Sequence, residues 1–219
     1  VNVIVNPIPT VTSTKTDLLC AGISPGAIDI TASGGTGPYT YLWTGAGVIV
    51  AAEDQTGLAA GTYSVIVTDA RSCSAISLSV TLSEPLLLTG SITAQSPVSV
   101  FGGNDGSVTV TGSGGSGAYE YKLDSGPYQA SGTFGTLTAG SYVVTVRDIN
   151  LCTINVPVTI TQPLPPLSGN IVSTTNVACF GDATGSVTVA GSGGLTPYEY
   201  SINGVTFQPS GTFGSLVSG

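Results

Sequence analysis

The sequence predicts an all-β protein built from tandem sandwiches, and three observations carry that prediction. Short apolar runs alternate with a period of two, glycine-rich turns punctuate them, and the whole pattern returns every 79 to 80 residues. Alternation of period two sends successive side chains to opposite faces of a sheet, so Ile28 with Ile30, and Val108 with Val110, line one buried face.

The repeat is read directly from the chain. Val108–Gly115 (VTVTGSGG) returns as Val187–Gly194 (VTVAGSGG), and residues 100–140 and 179–219 share 22 of 41 ungapped positions. The first copy is more diverged, but Ile28–Gly35 (IDITASGG) followed by Pro38-Tyr39-Thr40-Tyr41 keeps the pattern. Each copy closes alike, with Val80–Pro85 (VTLSEP) and Val158–Pro163 (VTITQP), and Val3–Pro7 (VIVNP) reads as the same phrase. The expected organisation is residues 1–7 as the last strand of a preceding repeat, then repeats at 8–85, 86–163 and 164–219. The third lacks its final two strands, and Pro7, Pro85 and Pro163 mark the junctions.

Within the second copy, strands are expected near 87–94, 106–112, 118–124, 127–130, 132–137, 141–148 and 152–161. Turn glycines such as Gly34-Gly35 and Gly114-Gly115 separate them where the backbone needs positive φ. Leu58-Ala-Ala-Gly-Thr-Tyr63 and Leu137-Thr-Ala-Gly-Ser-Tyr142 resemble a tyrosine corner, in which a Tyr opening strand F bonds back across the E–F turn. Trp43 takes the central core position on strand C, where Leu123 and Ile202 replace it later. These features sharpen the prediction to immunoglobulin-like β-sandwich domains arranged end to end as a rod. Ile30 and Val65, or Val110 and Val144, stand where an antibody domain has its core disulfide, so packing must join the sheets.

Composition excludes several function classes. The 219 residues carry four Lys or Arg, twelve Asp or Glu and no His, for a net charge of -8. Four cations cannot neutralise a phosphate backbone or an anionic membrane surface, and no apolar run is long enough to span a bilayer. Without imidazole the usual general base and commonest metal ligand are missing, so an enzyme is not expected. Sparse charge with abundant Ser and Thr suits a secreted surface. The opening residues lack the basic region and apolar core of a signal peptide, and read as a segment of something longer.

The motifs resemble those of the SprB repeat family of Bacteroidota cell-surface proteins. The resemblance rests on Cys20 and Cys179, Ser33–Trp43 (SGGTGPYTYLW), Gly61-Thr-Tyr63, Val67-Thr-Asp69, Cys73, Val146-Arg-Asp148 and Cys152. Departures are Val100 at the first Cys position, and Leu123 or Ile202 at the Trp position. The resemblance implies a long adhesin exported by the type IX system, held on the outer membrane as an extracellular filament, and in some members supporting gliding motility. Expected partners are neighbouring repeats of the same polypeptide, with lateral filament neighbours or surface glycans beyond them.

The four cysteines admit two schemes. Cys20 with Cys73 would close the first repeat on itself, but the A–B loop and F–G turn lie at opposite poles, roughly 20 Å apart along a strand, whereas a disulfide needs Cα atoms within about 7 Å. Cys20 with Cys152 joins the first A–B loop to the second F–G turn across a junction. This scheme is preferred, and it leaves Cys73 and Cys179 to partners outside the chain. Phe101 and Phe180, next to the A–B Cys position, are expected to pack against the following domain.

Other constellations have plainer readings. Asp69 and Asp148 invite a Ca²⁺ site near the junctions, but an Asp opening a turn ordinarily accepts backbone N–H groups, so no cofactor is expected. Glu53-Asp54 reads as an exposed loop, not a carboxylate pair for sugar hydrolysis. Lys15 and Lys122 sit at non-equivalent positions, which argues against internal isopeptide bonds. Tyr39 and Tyr41 share the face of Trp43 and read as core before sugar-stacking platforms, and Ser113–Gly117 is a strand-to-strand turn. The function expected is a structural stalk in a filamentous adhesin. The alternatives are a carbohydrate-binding repeat array, or stalk modules of a secreted hydrolase.

Overall fold

The structure, a computed structural model, describes residues 5–22, 25–75 and 77–218. Every regular element among them is a strand, and the fold is all-β and immunoglobulin-like. The reading of residues 1–7 as a strand lies outside the described residues at 1–4, and 5–7 are irregular.

In the first repeat, β1 (Thr10–Thr16), β2 (Gly26–Ser33) and β4 (Gln55–Leu58) form one sheet in the order β1-β2-β4. Strands β3 (Thr40–Thr44), β5 (Gly61–Thr68) and β6 (Leu78–Leu82) form the other, in the order β3-β5-β6. Pairing is antiparallel throughout, with Lys15 opposite Ile28 in the first sheet and Trp43 opposite Val65 in the second. Ile28, Ile30, Trp43, Leu58, Tyr63, Val65, Val67 and Leu82 are buried between the sheets. No disulfide joins these two sheets, so burial of alternate apolar side chains supplies the cohesion.

The second repeat reproduces the plan with β7 (Leu86–Ser96), β8 (Gly106–Gly115) and β10 (Thr133–Leu137) in the order β10-β8-β7. Its other sheet is β9 (Glu120–Leu123), β11 (Gly140–Arg147) and β12 (Thr153–Ile160), in the order β12-β11-β9. The strand expected at 127–130 is reduced to a single bridge between Tyr121 and Gln129. Gly126 and Pro127 precede it, and proline has no N–H to extend a ladder. Asp148 and its N–H partners close the turn between β11 and β12.

The third repeat contributes β13 (Ser168–Thr175), β14 (Gly185–Ser192) and β15 (Thr212–Leu216) in one sheet. Three residues link β6 to β7, and seven, including Pro163, Pro165 and Pro166, link β12 to β13. The chain divides into two compact units. One contains the residues through Ala94 together with Val108–Phe134 and Tyr142–Val158, and the other contains Gln95–Ser107, Gly135–Ser141 and the residues from Thr159 on.

Candidate functional site

The first unit contains a covalent junction between the first two repeats. One half is the loop that follows β1. Asp17 accepts the Ser83 N–H at 2.8 Å, Leu18 N–H donates to Ser83 O at 3.0 Å, and Gly22 N–H donates to Glu84 Oε2 at 2.6 Å. The loop carrying Cys20 is thereby stapled to the segment leading to Pro85. The Ser83 N–H, with help from Lys15, holds the Asp17 carboxyl below its ordinary value.

The other half is the turn between β11 and β12. Asp148, 2% exposed, accepts N–H groups from Ser116 at 2.9 Å, Asn150 at 3.0 Å and Cys152 at 2.9 Å. Leu151 takes positive φ (65°) immediately before the cysteine. The carboxylate therefore organises the turn and aims Cys152.

Between these halves, Cys20 and Cys152 form a disulfide with Cα atoms 5.7 Å apart, closing a sequence separation of 132. Asn150 Nδ2 donates to Leu19 O at 3.0 Å and to Ser116 Oγ at 2.7 Å. Cys152 Sγ lies 3.3 Å from the same Leu19 carbonyl, a packing contact because a bridged sulfur has no proton to donate. Leu19 O is thus gripped beside the covalent bond.

Cys73 and Cys179 are free thiols in this structure. Cys73 occupies the turn equivalent to that of Cys152: Asp69 accepts N–H groups from Thr36 at 3.0 Å, Arg71 at 2.9 Å and Cys73 at 2.8 Å, and Ser72 takes positive φ (64°). The Cys73 N–H is the leading reason the Asp69 carboxyl lies below its ordinary value. Cys179 is exposed in the loop after β13.

The remaining candidates fall as follows. Trp43 is 2% exposed and its Nε1 donates to Ala52 O at 2.9 Å. Tyr63 Oη donates to Ala59 O at 2.9 Å, the bond of a tyrosine corner. Gly45, at φ 143°, leaves the room its ring needs. Tyr142 opens β11 at the equivalent position and is half-buried. Pro7 and Pro163 are exposed and Pro85 is half-buried. Phe101 is 47% exposed and Phe180 fully exposed. Turn residues such as Asn150 and Cys152 cover the first loop, and the described residues of the third repeat include no such turn. Asp54 Oδ1 accepts the Ile30 N–H at 3.0 Å, giving the Glu53-Asp54 pair a local structural role. Lys15 Nζ bonds to Asp17 and to Thr81 O, and Lys122 lies over the Tyr128 ring. Among the described residues there is no group of three or more His, Cys, Asp or Glu able to hold a metal ion.

Two recurring devices escaped the sequence reading. Tyr39, Tyr119 and Tyr198 each donate Oη to the carbonyl of a glycine five residues earlier, Gly34, Gly114 and Gly193. Gln162 Oε1 accepts Gly102 N–H at 2.9 Å as Glu84 does Gly22 N–H. Their signal was recurrence at the repeat period, at positions where alternation assigned only "core" or "linker".

Comparison with known proteins returns one family. The SprB repeat model matches three times, at residues 12–48, 92–127 and 171–207. No curated protein matches. Among solved structures, three N-terminal domains of the bacteriophage RB49 Highly Immunogenic Outer Capsid protein align at 17% identity, covering 86% of this chain and 70% of that one, with a TM-score of 0.42. Domains 4 and 5 of the S-layer protein SbsC align at 15% identity, covering 71% and 98%, with a TM-score of 0.32. Fibronectin(III)-like modules of Clostridium thermocellum CbhA align at 16%, covering 70% and 95%, with a TM-score of 0.29.

Proposed function

The chain belongs to the SprB repeat family, and from that premise we propose that it is a stalk segment of a long cell-surface filament that acts by transmitting tension. The observation that carries the reading is where the disulfide lies along the chain. Tension entering through β1 reaches Cys20, crosses to Cys152 and leaves through β12, so residues 21–151, with every strand from β2 to β11, lie outside the covalent load path. Of the strands from β1 to β12, only β1 and β12 themselves can be peeled by pulling on the backbone. A disulfide of this kind fits an oxidising, extracellular setting.

In this proposal Cys73 and Cys179 bond to cysteines of further repeats, since each occupies one half of the geometry that joins Cys20 to Cys152. The filament is secreted by the type IX route, held at the outer membrane, and serves attachment, with gliding as the narrower role. The tyrosine hydroxyls of Tyr39, Tyr119 and Tyr198 are committed to glycine carbonyls, which weighs against the carbohydrate-binding alternative.

Single-molecule pulling between the chain ends tests the tension reading. Reduction is expected to release roughly 450 Å of additional contour length, from the 131 bypassed residues at about 3.5 Å each. Equal extension before and after reduction refutes it, and saturable binding on a glycan array favours the carbohydrate-binding alternative.

A further inference from the structure

The sheets β1-β2-β4, β10-β8-β7 and β13-β14-β15 present outward faces that share a chemistry core packing does not require. On β1, Ser13 and Lys15 stand opposite the buried Ile30 and Ile28, so period two puts Thr10, Thr12, Thr14 and Thr16 on the outward side. The register sets Thr10 against Ser33 and Thr12 against Thr31 on β2. On β8, Val108 and Val110 are buried, so Ser107, Thr109, Thr111 and Ser113 face out. On β14, Ser186, Thr188 and Ser192 hold the same places 79 residues later.

The outward hydroxyls are paired across strands at the repeat period. Thr10 Oγ1 lies 2.8 Å from Ser33 Oγ, Thr89 Oγ1 2.8 Å from Ser113 Oγ, and Ser168 Oγ 2.8 Å from Ser192 Oγ. A second rung joins Thr109 to Thr133 at 3.0 Å and Thr188 to Thr212 at 3.2 Å. Either oxygen of a pair can donate, and the shorter separation is that of any good O–H···O bond, about 2.8 Å. A hydroxyl both gives and accepts hydrogen bonds, so each pair keeps lone pairs for its surroundings and a proton whose direction can reverse. Outward positions recur about every 6.7 Å along a strand and about every 4.8 Å between strands.

Charge and aromatic rings are missing from these faces. Strands β7, β8, β10, β13, β14 and β15 contain no ionisable side chain, and Phe134 and Phe213 alternate with the outward Thr133 and Thr212. In the first repeat Asp29 is the one charged residue on the outward side of β1, β2 and β4. The opposite sheets differ. The outward face of β3-β5-β6 carries the exposed pair Leu42 and Ile66, and that of β12-β11-β9 carries Glu120, Lys122 and Arg147. An ionic ligand finds no counter-charge on the hydroxyl faces, and a sugar ring finds no aromatic platform. Water held in a lattice fits them, since each of its groups donates and accepts and none is charged.

We propose that the outward faces of these three sheets bind ice. The hydroxyl pairs replace water–water pairs at the crystal surface, and their reversible direction matches whichever proton arrangement the crystal presents. Threonine methyls beside them exclude liquid water. A three-stranded face holds few pairs, so one repeat binds weakly and tandem repeats on one chain act together. The proposal makes no use of the stalk reading.

The test measures partition of the full 219-residue chain into a slowly growing ice front, with inhibition of ice recrystallisation as a second readout. Enrichment in the ice is expected, with smaller crystals than a charge-matched globular protein gives. Thr12→Lys, Thr111→Lys and Thr188→Lys combined should cut the enrichment at least about tenfold, because contacts on all three repeats are lost together. Valine at the same positions keeps the β-branched shape, removes only the hydroxyls and should lower it severalfold. Thr44→Lys, Thr62→Lys and Thr159→Lys, which add the same charge to the outward faces of the other sheets, should leave it unchanged, and melting curves establish that each variant folds. Exclusion of the chain from ice, equal enrichment of the parent and both array variants, or an equal loss in the control would each overturn the proposal. Binding to microcrystalline cellulose without binding to ice would overturn it in favour of the carbohydrate-binding alternative.

Discussion

The Asp148 carboxylate accepts the Cys152 N–H at 2.9 Å, so the residue that closes the turn also orients the thiol that bridges two repeats. A buried acid and a cysteine four positions later form one device, and Asp69 with Cys73 repeats it. A turn organised this way presents sulfur in one direction before any bond forms, which lowers the ordering cost of the bridge.

Asp148→Ala should therefore damage more than the turn. Three backbone N–H groups lose their acceptor, at a cost of about 3 kcal/mol in the second repeat. Thermal unfolding should show the loss, and refolding from the reduced state should form the Cys20–Cys152 bond more slowly, as read by non-reducing mass spectrometry.

Replacing both bridging cysteines by serine should destabilise the first unit by up to about 5 kcal/mol, the loop-closure contribution of a cross-link spanning 132 residues. Differential scanning calorimetry of the oxidised protein and the double serine variant measures the difference. A serine pair as stable as the oxidised protein would show that the junction is held by packing and by Asn150 alone.

Tyr63→Phe keeps the ring in the core and removes only the bond to Ala59 O. A cost of about 1 kcal/mol is expected, visible as a lower denaturant midpoint with an unchanged slope.

Acid should weaken the fold through Asp17, Asp69 and Asp105, whose carboxyls are all held below 3.8, the last by Ser99. A group with a depressed folded value binds its proton less readily when folded. Its stabilisation is complete above 3.8 and drains away as pH falls through the lower folded values. Tyr41 acts in the opposite sense: burial, with Glu53 and Asp54 nearby, raises it from 10.0 to about 12, so its contribution holds below pH 10 and is lost as pH rises through about 12. Melting curves recorded across both limits check the signs, and Asp69→Asn should flatten the acid limb.

Much of this architecture was legible in one dimension. Period-two alternation located Ile28, Ile30, Val108 and Val110 in the core because a strand has only two faces. The spacing of Leu58, Gly61 and Tyr63 identified the corner because its bond is local. Polar grips were not legible: Asn150 on Leu19 joins residues 131 positions apart, and Glu84 on Gly22 spans 62. No local pattern marks such partners.

By itself the sequence determined the strands, their sidedness, the repeat period and the family, since these follow from local alternation, turn chemistry and self-similarity. Only the tertiary structure decided which distant groups meet. It brought the Cys20 and Cys152 Cα atoms within 5.7 Å and turned Asp69 and Asp148 inward onto backbone N–H groups. Those outcomes depend on how sheets stack and loops close in space, and positions along a chain do not encode that distance.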